Sequence, residues 1–369
     1  NINFNKTLTL NGGVLDVSVG TSGTLSALTG TGTFIKNNAG TYTVNDARSF
    51  TGTTTVNEGL LAYGVYQAGG DILNNAAVRF NNGNNATYSG VISGTGSVDW
   101  RGGNFLANVQ TYTGNTINRG NLRIDAGGGL SDSSTYQGIS GQLQFNVADG
   151  YVYGANITGN SDLNFLANSN TTLTGNNTGT GNWAFIQRDA TVNIGDGGTT
   201  GGLNMAAGLQ VWNGAALTFN RSDNFDFTSD MYQVEGSTKT ITQNGTGTVN
   251  FTMDNTNGWN NAQNVDVTIN AGGLTLKDES LIFRSVNIGT GATFTVDTTK
   301  TESMSNLTGT GTFIKNNAGT YTVNDARSFT GTTTVNEGLL AYGVYQAGGD
   351  ILNNAAVRFN NGNNATYSG

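Results

Sequence analysis

The sequence predicts an all-β fold, a parallel β-solenoid with about 21–22 residues per rung. Three observations predict it. Residues 28–90, from Leu28-Thr29-Gly30-Thr31-Gly32 to Ala86-Thr87-Tyr88-Ser89-Gly90, return without one change at 307–369, so the long repeat unit is 279 in the numbering, from 28 to 307. A shorter period runs beneath that repeat. Within the short period, apolar and polar residues alternate.

The short period is marked by Gly-Thr-Gly, which starts at Gly30, Gly94, Gly179, Gly245, Gly289 and Gly309. The gaps of 64, 85, 66, 44 and 20 are close to three, four, three, two and one times a unit of 21 or 22. Thirteen such units fill the long repeat. Rungs are expected at 30–50, 51–71 and 72–93, then from Gly94, Thr113, Gly141, Leu163, Gly179, Gly202, Phe225, Gly245, Val265 and Gly289. The rung from Thr113 to Ser140 is the longest. Its Gly127-Gly128-Gly129 and Ser131-Asp132-Ser133-Ser134 read as a loop pushed out of the stack.

Inside the rungs, Thr41-Tyr42-Thr43-Val44, Thr55-Val56-Asn57, Leu143-Gln144-Phe145-Asn146-Val147 and Val265-Asp266-Val267-Thr268-Ile269 alternate with period two. Such segments put one face inward and one outward, so Val44 and Val56 belong to the core. Strands this short cannot each bury a core as hairpins. Stacked as coils, each pairs with its equivalent one turn away. The chain from 1 to 369 is read as one continuous solenoid. Rungs spaced ~4.8 Å apart would make it a rod.

Composition agrees. Gly (56), Thr (55) and Asn (53) make up nearly half the chain, and Pro, Cys and His are absent. Gly suits corners that need positive φ, Asn can stack amide on amide between rungs, and Thr suits exposed strand positions. Proline would delete ladder donors. Leu, Ile, Val and Phe together make up less than a quarter of the chain, but a net charge of −8 is too small for a chain kept open by repulsion. Without Cys there is no disulfide or thiolate chemistry, and without His the commonest metal ligand is missing. No apolar run approaches the ~20 residues that span a bilayer. Asn1-Ile2-Asn3-Phe4 has neither a basic region nor an apolar core, so any export signal lies outside these residues. The pI near 4.5 with sparse Lys and Arg argues against nucleic acid as a partner.

The run Gly32-Thr33-Phe34-Ile35-Lys36, Gly40-Thr41-Tyr42-Thr43-Val44-Asn45, then Phe50-Thr51-Gly52 and Thr55-Val56-Asn57-Glu58-Gly59-Leu60-Leu61 resembles the autotransporter-associated β-strand repeat, also called the passenger-associated transport repeat. The copy at 311–340 repeats it. Gly94 to Leu122 is a weaker match, with Thr111-Tyr112-Thr113-Gly114, Ile117-Asn118-Arg119-Gly120 and one residue missing between Gly114 and Ile117. The resemblance implies a right-handed parallel β-helix in the secreted passenger of a large bacterial surface protein, often an adhesin. It brings no catalytic residues.

No residue is assigned a catalytic, cofactor-binding or metal-binding role. Asp223, Asp226, Asp230 and Glu235 form the densest carboxylate cluster, but all fall in one expected rung. A sugar-cleaving pair would be drawn from neighbouring rungs at ~5–10 Å. The cluster therefore reads as a solvated turn. Gly69-Gly70-Asp71 and Gly195-Asp196-Gly197-Gly198 only hint at a calcium-binding β-roll, and neither recurs from rung to rung. Trp100, Trp183, Trp212 and Trp259 are spaced 83, 29 and 47 apart and form no single stripe, so they read as packing residues. The expected function is structural and non-enzymatic: an extracellular β-helical shaft of a bacterial surface fibre or adhesin, with no cofactor. Its expected partners are further copies of itself, in tandem or end to end, and secondarily surface glycans. The alternative is a β-helix that grips or cleaves surface polysaccharide.

Overall fold

A computed structural model describes residues 2–18, 22–66, 69–179, 182–234, 238–252, 264–277, 283–345, 349–360 and 367. Among these residues there is no helix, and each strand pairing between successive rungs is parallel. The fold is the expected β-solenoid. The chain divides into two compact units, Asn1–Thr171 with Gly175–Asn182, and Thr172–Thr174 with Trp183–Gly369.

In the first unit, one sheet stacks the strands Ile2–Leu10, Gly23–Gly30, Thr41–Phe50, Leu60–Val65, Ala77–Tyr88 and Ser97–Leu106. It continues through the broken rungs Thr116–Asn118 with Asn121–Asp125, and Tyr136–Gly138 with Gln142–Asn146. A five-stranded sheet of Val14–Val17, Thr33–Lys36, Thr53–Val56, Ile72–Asn74 and Ile92–Ser93 forms another wall. The pairing register turns alternation into columns. Leu25, Val44, Tyr63, Phe80 and Trp100 are successive partners and all are buried. Phe80 stacks on Trp100 with centroids 4.4 Å apart and planes at 10°. Val56 is likewise buried beside Lys36.

In the second unit, Ala216–Phe219, Lys239–Gln243, Val265–Ile269, Ser285–Ile288, Thr301–Gly309, Thr320–Phe329, Leu339–Val344 and Ala356–Phe359 stack in order. A seven-stranded sheet runs from Phe225–Phe227 to Ile351–Asn353. Its inner column holds Val249, Leu274, Phe294 and Phe313. The last two rings stack at 5.7 Å.

The rung length is a mean rather than a constant. In the first unit Leu60 pairs with Ala77 and Asn121 with Gln142, the former a distinctly shorter step along the chain. In the second unit Thr191 pairs with Ala216 and Lys239 with Val265, both longer steps than the expected period. Parallel pairing fixes the strands, while the turns between them absorb the difference.

Glycine is used less for positive φ than for closeness. A Cβ on Gly52 would lie 1.9 Å from the Gly32 carbonyl oxygen, one on Gly70 2.1 Å from that of Gly52, and one on Gly90 2.4 Å from that of Gly70. This corner is a glycine spine along which backbones touch. Asparagine behaves as expected. The Asn57 amide donates to Asn37 Oδ1 at 2.7 Å and Asn75 to Asn57 at 3.4 Å, while Asn37 donates to Asp16 at 3.1 Å. The second copy repeats the ladder from Asn336 to Asn316 at 2.8 Å.

The segment expected to loop out at 127–134 is instead built into the stack. Leu130, Ser131 and Ser134 are buried, and the Gly129 carbonyl accepts from Gln110 N at 3.0 Å. The Ser134 hydroxyl lies 3.0 Å from that of Thr116 inside the core. Within the segment, Gly127, Asp132 and Ser133 project. A run of serines need not be solvated when its hydroxyls pair inside the stack, with its own backbone or with the rung before.

Candidate functional site

The lysine of the repeat motif points inward. Lys36 ends the buried alternation of Thr33–Lys36, and its Nζ donates to the carbonyls of Asn38 at 2.5 Å and Glu58 at 2.8 Å and to Asn38 Oδ1 at 3.0 Å. Burial lowers its pKa, and Glu58 partly offsets this. Lys315 does the same in the second copy, donating to Asn316 O and Asn317 O. These lysines tie the carbonyls of their corner together. They are structural.

The carboxylate cluster disperses. Asp223 pairs with Arg221 at 2.8 Å, and that hydrogen bond lowers its pKa. Asp226 accepts from Asn250 Nδ2 at 2.8 Å, a rung-to-rung tie. The Asp230 backbone carbonyl accepts from Leu209 N. Glu235 lies outside the described residues. Asp71 Oδ1 accepts from Val91 N at 2.8 Å, a tie to the next rung, and Asp196 Oδ1 accepts from Gly198 N at 3.4 Å within its own turn. Among the described residues, no group of three or more His, Cys, Asp or Glu could hold a metal. No described helix is long and apolar enough to cross a membrane.

The tryptophans divide. Trp100 is core, and Trp259 lies outside the described residues. Trp183 and Trp212 are half-buried on the outward face of the second unit, each against another aromatic ring. Trp183 and Phe185 stand on Trp183–Ile186, whose Phe185 pairs with Gln210, which in turn pairs with Tyr232. Trp183 meets Tyr232 edge-on at 5.0 Å, and Phe185 lies 6.0 Å from Trp212. Four half-exposed aromatic rings thus surround Gln210. Spacing hid this platform because the rung there is longer than the mean, as Trp183 pairs with Gly208.

In the first unit the outward face carries a cluster of arginines. Arg79, Asp99 and Ile117 are successive partners in one row. Arg79 Nε lies 3.1 Å from Asp99 Oδ2, Arg101 Nη2 2.8 Å from the same oxygen, and Arg119 Nε 3.4 Å from Asp99 Oδ1. Arg123 lies 3.7 Å over the Phe105 ring and pairs with Asp125 at 2.8 Å. Beyond the strands, a cleft of about 210 Å³ opens between Val109, Gly127, Val147 and Tyr151.

No family model matches the chain, so the repeat family rests on the residues quoted above. No solved structure matches it either. Among curated proteins the chain is similar to the "Adhesin BmaC autotransporter" of Brucella suis biovar 1 (strain 1330), 26% identical over 397 aligned positions. The match covers 98% of this chain and 10% of that protein, so the chain spans about a tenth of its relative's length.

Proposed function

We propose that the chain is a stretch of β-helical shaft in an extracellular bacterial surface fibre or adhesin, lengthened by tandem repetition. One observation carries this reading. The segment repeated at 28–90 and 307–369 forms the same strands in both places: Thr41–Phe50 and Thr320–Phe329, Thr53–Val56 and Thr332–Val335, Leu60–Val65 and Leu339–Val344. Their core residues Val44 and Val323 are equally buried. A segment that folds the same way after different neighbours is a length module, and repeating it lengthens a stack without altering its walls. The similarity to a Brucella autotransporter adhesin supports a place at the cell surface. In this reading residues 1–369 are one continuous solenoid and further copies of the unit are its partners. Immunogold labelling of intact cells with antibody to the chain should decorate surface fibres. Label confined to the cell interior would refute it.

The second reading, a surface that grips polysaccharide, is favoured by the platform of Trp183, Phe185, Trp212 and Tyr232. Exposed aromatic faces stack on the apolar faces of sugar rings. Trp183→Ala with Trp212→Ala should then weaken binding to a neutral glycan about tenfold, from a loss of ~1.4 kcal/mol. An array of neutral glycans that shows no binding to the unaltered chain would exclude it.

A further inference from the structure

We propose that the outward face of the first unit around Asp99 binds an acidic polysaccharide, a sugar chain carrying carboxylate or sulfate groups. The site is distinct from the aromatic platform and does not depend on the shaft reading.

The charges do not balance. Three guanidiniums converge on one carboxylate, with Arg79 Nε at 3.1 Å, Arg101 Nη2 at 2.8 Å and Arg119 Nε at 3.4 Å from Asp99. Two positive charges are left over in a chain whose net charge is −8. The arginine side chains are 30%, 38% and 39% exposed, so their remaining N–H donors face water, whereas Asp99 is only 12% exposed. A structural ion pair needs one arginine. Here the carboxylate works as a hub that holds three forks in place and lets their far edges point outward. Held guanidiniums lose less side-chain entropy when a ligand arrives, and their planar forks match carboxylate and sulfate.

The surroundings suit a sugar chain. Asn81 precedes Arg101 in its row, and Gln137 follows Ile117 in the row of Asp99. Arg123, one rung on from Phe105 and partner of Gln144, adds a cation stacked on an aromatic ring. Amides flanking the charges can pair with hydroxyls. Asp125 is engaged by Arg123, and Asp46 and Asp162 each stand three rungs from Asp99. Rungs ~4.8 Å apart present these donors at regular intervals to a linear polymer lying along the stack. The acidic background disfavours the dense charge of a nucleic acid more than the spaced charge of a glycan.

The test is titration calorimetry of the folded chain against heparin (sulfated), polygalacturonate (carboxylated), dextran (neutral) and single-stranded DNA at low salt. Binding is expected to heparin or polygalacturonate, which separates sulfate from carboxylate, and not to dextran. Arg101→Gln with Arg119→Gln should weaken it at least tenfold, while Arg48→Gln, which removes the partner of Asp46 elsewhere on the sheet, should leave it unchanged. Arg119→Gln alone, which removes the most exposed of the three forks, should weaken it several-fold and provides the readout if the double variant does not fold. No binding to either acidic polysaccharide, equal binding by the double variant, or tighter binding to DNA than to both would overturn the proposal.

Discussion

At the scale of the residue, the strongest constraint is on side chains that point inward. Val44 is buried in a column between Leu25 and Tyr63. Val44→Asp would bury an unpaired charge and should cost several kcal/mol, read as a lowered melting temperature. Lys36 answers to pH in a direction opposite to a lysine whose pKa is raised by an exposed ion pair. Its folded pKa is lowered by burial, so the unfolded chain holds the proton more tightly between the lowered value and the ordinary 10.5. The penalty for a buried charge is complete below that interval and relieved across it, so this group makes stability rise with pH there. Lys36→Met should flatten that rise. It also removes the Nζ hydrogen bonds to the Asn38 and Glu58 carbonyls, at about 1–3 kcal/mol at neutral pH. Chemical denaturation at several pH values checks both effects.

At the scale of the element, the glycine spine and the asparagine ladder hold successive rungs in register. Gly52→Ala should cost about 2–3 kcal/mol, because the new methyl meets backbone rather than a movable side chain. Gly83→Ala, with nothing within 4 Å, should be close to neutral. Equal melting of the two variants would show that the corner is looser than described. Much of this scale was legible in the sequence. Alternation placed Val44 and Val56 inward, and Asn frequency pointed to stacked amides. What escaped was whatever depends on turn length. A uniform period gave no sign that Trp183 meets Tyr232 or that Phe185 meets Trp212, because the rung there is longer than the mean. It equally gave no sign that Arg79, Arg101 and Arg119 share one carboxylate. The Ser-rich 131–134 looked like a loop because polarity was visible and hydroxyl pairing was not.

At the scale of the whole molecule, the two identical copies build the same core, with Tyr42 and Tyr321, Val44 and Val323, and Tyr63 and Tyr342 buried alike. Small-angle scattering addresses the proposal of one continuous solenoid, for which the expected form is elongated.

Parallel pairing between rungs also sets a mechanical response. The ladder hydrogen bonds run from one turn to the next. A pull along the stack therefore loads the bonds of the outermost turn first and peels it before its neighbour feels the load. Each released turn of about 20 residues can give ~70 Å of extended chain in exchange for ~4.8 Å of stack. A unit built this way is a reel that yields in small increments and dissipates work at every one. Because the turn from Leu60 to its partner Ala77 is short and that from Lys239 to Val265 is long, the increments should be unequal, with the longer ones from the second unit. Single-molecule stretching would resolve them as a staircase of graded steps. Release of a whole unit in one rip would mean that the turns do not yield independently.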